Sequence, residues 1–239
     1  MSIGIGCFGP LDFNPQSVTF GSITATPKPG WSKIHVRKFL QENLHLPVAI
    51  DTDFNTAALG EKMWDSGKNV NDLLYITIGT GIGGGAIANG KPIHGLIHPE
   101  MGHIYIPHDT MRDPFRGICP FHGDCFEGLA SGQALAERWG EPAEKLHIDH
   151  PAWELDAKYI ACALANIICI LSPQKVIVGG GVMQHPGLIF QIRKEVTSFL
   201  KGYIQSPLVL DQIDNYIVLP ALGNLSGVLG AISLTIDLI

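Results

Sequence analysis

Cys119, His122 and Cys125 fall at regular intervals in Cys-Pro-Phe-His-Gly-Asp-Cys, inside a stretch with little else to order it. From Pro92 to Gly128 histidine, proline and glycine dominate, and no long helical or strand period runs through. Ile104 to Gly123 has too few apolar side chains to make a core of its own. Three soft or borderline ligands within seven residues, with His103 sixteen residues before Cys119, suit a closed tetrahedral zinc site. A metal clip would supply the cross-link that the loop lacks. With all four positions filled by protein, the ion would be structural. Two free thiols beside scattered surface histidines are the competing reading. The neighbouring His94, His98 and His108 also leave the fourth ligand less determined than the other three.

The rest of the chain reads as a globular protein. Hydrophobic residues make up 46% of its 239 residues and charged ones 16%, enough to bury a real core. A net charge of −6 without any basic run gives no footprint for nucleic acid. The most apolar stretch, Tyr159 to Leu171, contains Asn166 and is too short to span a bilayer, so a buried helix is expected. No charged segment followed by an apolar run marks a signal peptide. The cysteine count, five, is odd, and Cys162 and Cys169 lie in the apolar helix, where small core residues are the simplest reading. A reducing, cytoplasmic setting follows.

Strands and helices alternate. Ile3–Phe8, Pro47–Ile50, Asp72–Ile78, Lys175–Val178 and Tyr216–Leu219 read as strands. Ser32–Asn43, Asp53–Trp64, Trp153–Leu171, Gly187–Lys201 and Leu225–Ile236 have helical spacing. The segment from Leu11 to Gly30 reads as a polar loop, and Asn89-Gly90 as a hairpin turn after a strand at Ala86–Ala88. The pattern is that of an α/β protein.

Two glycine-rich junctions stand at strand ends. Gly79-Thr-Gly-Ile-Gly-Gly-Gly85 is followed by a strand, which separates it from dinucleotide and Walker loops, since both need a helix there. Its backbone N–H groups and the Thr80 hydroxyl could hold phosphate, though tight turn geometry alone would also account for it. Gly179-Gly-Gly-Val-Met183 lies at the carboxyl end of a buried strand, the edge where α/β sheets bind ligands; a close helix–strand contact is the alternative. Asp53, at a strand-to-helix junction, reads either as a helix cap or as a carboxylate that takes a hydroxyl proton. Glu100 and Glu127 flank the cysteine–histidine cluster, and a metal clip would draw them together as acceptors for sugar hydroxyls; surface glutamates are the alternative reading.

In order and spacing these segments resemble the ROK family. The matching pieces are Asp51–Glu61, Gly79–Gly85, Glu100-Met-Gly-His103, Cys119–Glu127 and Val178–Val182. The form Cys-Pro-Phe-His-Gly-Asp-Cys, Thr52 where asparagine is usual, and Thr26-Pro-Lys-Pro-Gly-Trp31 are similar to its fructokinase branch. The resemblance implies an actin-like, ribonuclease-H-like ATPase fold of two lobes with a cleft. Residues 1–71 would be the remainder of an N-terminal lobe, and residues 72–239 a C-terminal lobe with its zinc loop at about 100–128.

The resemblance also implies roles. Asp53 is the base; Thr52, Asp53, Glu100, His103 and Glu127 bind the sugar; and Thr80 and Gly81 meet the phosphates. Gly180, Gly181, Val182, Met183 and Gln184 take the adenosine side. Zn²⁺ is held by His103, Cys119, His122 and Cys125, and Mg²⁺ accompanies ATP. The activity implied is phosphorylation of fructose, with mannose or other hexoses as further acceptors, by a cytoplasmic homodimer. Family members open with an Asp/Glu-x-Gly-Gly-Thr-Lys phosphate loop that is not in this sequence, so the N-terminal lobe is expected to be incomplete and Ile3–Phe8 to lack neighbours and present an open edge. A truncated relative that binds sugar without turnover is the alternative, and a sugar-responsive regulator a more distant one.

Overall fold

In chain order the elements are β1 (Ile3–Cys7), α1 (Val36–Leu44), β2 (Val48–Thr52), α2 (Asp53–Trp64), β3 (Leu73–Ile78), β4 (Ile82–Ala88), β5 (Lys91–Pro92), α3 (Phe126–Ala130), α4 (Gly132–Trp139), α5 (Ala152–Leu171), β6 (Lys175–Gly179), α6 (Leu188–Leu200), α7 (Pro207–Leu210), α8 (Ile213–Tyr216), β7 (Ile217–Val218) and α9 (Ser226–Ser233). They come from a computed structural model that describes residues 1–26 and 28–238. Pro27, in the Thr26–Trp31 segment singled out above, lies outside the described residues. β1 and β2 form one sheet, and the other has the order β5-β4-β3-β6-β7.

The chain divides into two compact units: residues 1–75, 85–99 and 220–239, and residues 76–84 and 100–219. The first unit thus takes in residues 72–75, 85–99 and 220–239, which the sequence reading assigned to the C-terminal lobe. In it β1 pairs with β2 in parallel, Ile3 opposite Val48 through Cys7 opposite Thr52, which corrects the expectation that the first strand lacks neighbours. Cys7, Leu11, Ile23 and Ile50 form a small core beside this sheet. Helices α2 and α9 approach closely because Gly60 faces the Ser226 carbonyl and Gly230 the Thr56 carbonyl, leaving no room for a Cβ at either glycine. Glu61 is fully buried at this contact, and its carboxylate accepts from Ser226 Oγ at 2.8 Å, Leu222 N–H at 3.0 Å and Ala221 N–H at 3.3 Å. Ser66 N–H adds a fourth bond at 3.4 Å, and a buried carboxylate satisfied in this way is a fixed strut.

Two boundaries differ from the sequence reading for physical reasons. Helix α1 starts at Val36 instead of Ser32 because Lys33 adopts φ 63°, a left-handed conformation that a helix cannot contain. β4 begins at Ile82, so the glycine turn is only Gly79–Gly81. Gly85 lies in the strand, where a side chain would strike the Phe54 backbone. Asn89 and Gly90 do form the hairpin turn, both with positive φ, and Ala88 pairs with Lys91 across it.

The second unit is built on α5, a 20-residue helix whose buried face includes Trp153, Tyr159, Ile160, Leu164 and Ile168. Helix α6 packs along it, and β6 pairs with β7 in parallel, Val176 opposite Ile217. Cys162 is half-buried and Cys169 exposed, so neither is the core residue expected of it; the helix turns its alanines and isoleucines inward instead. Among the described residues no helix is long and apolar enough to cross a membrane.

Candidate active site

The cysteine–histidine cluster belongs to the second unit. One ligand atom from each of His103, Cys119, His122 and Cys125 lies within 4.8 Å of the others. Among the competing histidines, it is His103 that joins the three spaced ligands. Its Nδ1 stands 3.7 Å from both sulfurs, and His122 Nδ1 is 3.6 Å from Cys119 Sγ. A tetrahedral ion about 2.3 Å from sulfur and about 2.1 Å from nitrogen gives a sulfur–nitrogen edge of about 3.6 Å. The donor set therefore fits a tetrahedral metal of zinc's kind. Backbone geometry prepares the knuckle: Cys119 and Gly123 exchange hydrogen bonds of 3.1 and 2.9 Å, and Gly123 is in the left-handed region at φ 65°. Cys125 is fully buried, and burial, with the neighbouring Cys119 and Glu127 charges adding, pushes its thiol up to about 11. The protein alone thus disfavours a thiolate at neutral pH; a bound cation favours one.

The cluster leads directly to Glu127. His103 Nε2, the ring nitrogen opposite the one facing the thiols, is 4.0 Å from Glu127 Oε1. The other carboxylate oxygen accepts the Ile82 backbone N–H at 2.9 Å. A Cβ at Gly81 would come within 2.6 Å of that oxygen, so the turn needs glycine there to let the carboxylate in. Glu100 is exposed, immediately before the single turn Met101–His103, and its carbonyl accepts from His103 N–H at 3.0 Å.

A cavity of about 780 Å³ opens in the same unit, within the size range of ligand sites. Of the residues assigned to nucleotide, Thr80, Gly181, Val182 and Gln184 line it, whereas Gly81, Gly180 and Met183 are not in its lining. Gly180 acts behind the wall: at φ 100° it lies against the Ile78 carbonyl, where no side chain fits. The Gly79 carbonyl accepts from Gly132 N–H at 2.7 Å, which fastens the glycine turn to the start of α4. The far side was not legible. Trp153 stacks on His185 with centroids 4.2 Å apart, and His185 Nε2 donates to the Ile148 carbonyl at 3.0 Å. These residues, with Gln133 and Leu146, come from separate segments and share no motif. The tryptophan just inside an apolar helix was the one available signal.

In the first unit, β2 delivers Asp51, Thr52 and Asp53 to the start of α2. Thr52, not Asp53, is the cap: its Oγ1 accepts from Asn55 N–H at 3.1 Å, and it is buried. Asp51 is buried too, accepting from Thr52 N–H at 2.7 Å and Asn55 Nδ2 at 2.8 Å, with His94 Nε2 3.0 Å from its second oxygen. Phe13 stacks on His94 at 4.3 Å. Asp53, relieved of capping, accepts its neighbour's N–H, from Phe54 at 3.0 Å. Burial raises its pKa, opposed by the Phe54 N–H and then by the positive fields of Lys28 and His98. Lys28 itself is held over the Phe8 ring, 3.4 Å from the centroid.

The pattern of the ROK family matches residues 1–237. A fructokinase of Lactococcus lactis subsp. cremoris is 47% identical over 219 residues, 92% of this chain and 73% of that protein. A ROK hexokinase from Thermus thermophilus superposes with a TM-score of 0.80 at 28% identity, over 99% of this chain and 78% of the other. A ROK glucokinase from Streptomyces griseus, solved with glucose and AMPPNP, gives 0.76 at 26% identity, over 98% and 80%. The chain belongs to the ROK family, and its fold is the actin-like, ribonuclease-H-like ATPase fold.

Proposed function

We propose that this protein is a hexose kinase that transfers the γ-phosphoryl group of Mg²⁺–ATP to the 6-hydroxyl of fructose. The hydroxyl oxygen attacks phosphorus, its proton passes to the Asp53 carboxylate, and ADP leaves with the electrons of the broken bond. Thr52, Glu100, His103 and Glu127 accept from or donate to the remaining sugar hydroxyls. Thr80 and Gly81 serve the phosphates, and the Gly180–Gln184 turn the adenosine. Mg²⁺ bound with the nucleotide would offset its charge. His103, Cys119, His122 and Cys125 would hold zinc, which would supply a cross-link. The same resemblance carries a cytoplasmic homodimer.

The observation that supports this reading most is the coupling of the cluster to Glu127. His103 turns one nitrogen to the thiols and the other toward Glu127, so a bound ion would fix a sugar-binding pair. Turnover with ATP and fructose, mannose or glucose tests it. The expected order places fructose first in kcat/KM; glucose above fructose would refute the substrate assignment.

Two substitutions probe the parts separately. Gly81→Ala is expected to push the Glu127 carboxylate aside and raise the KM for fructose about tenfold, with a smaller change in kcat. An unchanged KM would remove Glu127 from the sugar site. Lys28→Met removes a positive field that lowers the Asp53 pKa. The folded value then rises further, so the base protonates at higher pH and the acid limb of kcat/KM moves to higher pH. A pH–rate profile that keeps its acid limb in place would show that the field of Lys28 does not act on the base.

A further inference from the structure

The segment before the cluster is anchored by largely buried polar bonds as well as by the cysteine–histidine cluster. Asp124 lies between His122 and Cys125, and its carboxylate is 3.0 Å from His108 Nδ1. The other ring nitrogen of His108 is 3.0 Å from the Asp113 carbonyl. The Asp113 carboxylate accepts the Tyr159 hydroxyl of α5 at 2.6 Å and pairs with Arg138 of α4 at 3.2 Å. Arg138 also lies over the Tyr159 ring, 5.6 Å from its centroid. The side chains of His108, Asp113 and Arg138 are only 4%, 7% and 6% exposed, so the bonds among these groups work in a low dielectric where they are strong, whereas Asp124 at the end of the chain of bonds is 41% exposed.

Followed in sequence, the bonds run from a rigid helix through Tyr159, Asp113 and His108 to a residue between two ligands. None of the four donates a ligand atom to the cluster. We propose that Tyr159, Asp113 and His108 are positioning residues that hold the knuckle in its binding shape and so set how tightly the cluster retains its metal. A loop ordered in advance loses less freedom when the ion binds. Supporting residues of metal sites commonly change affinity about 10–100-fold. The proposal rests on the cluster being a metal site and does not depend on the sugar or the nucleotide.

The test is competition for Zn²⁺ between the full chain and a chromophoric chelator, with Co²⁺ spectra reporting the ligand set. His108→Ala is expected to weaken Zn²⁺ binding about tenfold or more, and Tyr159→Phe to weaken it in the same direction. The Co²⁺ spectrum should remain that of two thiolates and two imidazoles in both variants. His108→Asn, whose amide nitrogen can replace Nδ1 toward Asp124, should recover most of the loss. His108→Gln, which replaces the opposite nitrogen, should not. Affinity within about twofold of the parent in both His108→Ala and Tyr159→Phe overturns the proposal. So does an equal loss in the Asn and Gln variants, which would mark general destabilisation. A parent chain that binds no Zn²⁺ overturns it as well, whatever its activity on sugars.

Discussion

Asp53→Asn is expected to lower kcat about 10²–10⁴-fold while leaving the affinity for fructose within about threefold. The substitution keeps the shape of the side chain and one acceptor oxygen, so the Phe54 N–H bond of 3.0 Å can persist. Thr52 caps α2 independently, which means that helix α2 does not depend on the charge of Asp53. What is lost is the carboxylate proposed to take the hydroxyl proton; Asp51 beside it is committed to Asn55, the Thr52 N–H and His94. Equilibrium binding of fructose, measured beside steady-state turnover, separates the two effects. Equal losses in binding and turnover would make Asp53 a binding residue; unchanged turnover would remove it from the chemistry.

Removal of the metal is expected to have the next largest effect. Stripping the protein with a chelator, or replacing Cys125 by Ser, should lower the melting temperature by roughly 5–10 °C and abolish hydrogen-exchange protection across residues 103–128. The core of the second unit should survive, since Ile160 and Leu164 of α5 and Val176 of β6 are fully buried. Fructose affinity should fall with the metal, because the Glu127 partner His103 loses its support. Zinc loading should weaken as pH falls: burial has raised the Cys125 thiol, so binding must displace a proton. Proton release on titration with Zn²⁺ checks that sign, and protection unchanged in the metal-free protein would contradict the structural role.

How much of this was legible depended on how local each signal is. The cysteine–histidine cluster, the Asn89-Gly90 hairpin and the strand-to-helix junction at Asp53 are short-range patterns, and the chain adopts each where its residues dictate. The cap was misassigned between adjacent residues because threonine and aspartate both cap well, and only side-chain orientation separates them. The cavity lined by Thr80 and Gly181 was half visible. Thr80 and Gly181 announce themselves in glycine turns, whereas Trp153, His185 and Ile148 meet only through a stacked pair and one backbone hydrogen bond. The division into units was hidden for the same reason. Segment 220–239 returns to the first unit through Gly60, Gly230 and Glu61, and no local pattern records a contact 165 residues distant in sequence.

The central claim is transfer of phosphate to fructose with Asp53 as the base. Incubation of the purified, zinc-loaded protein with Mg²⁺–ATP and fructose, with the product identified by NMR, tests it most directly. The expected product is fructose 6-phosphate, formed one for one with ADP and absent with Asp53→Asn. Formation of fructose 1-phosphate, or an Asp53→Asn variant as active as the parent, would contradict it.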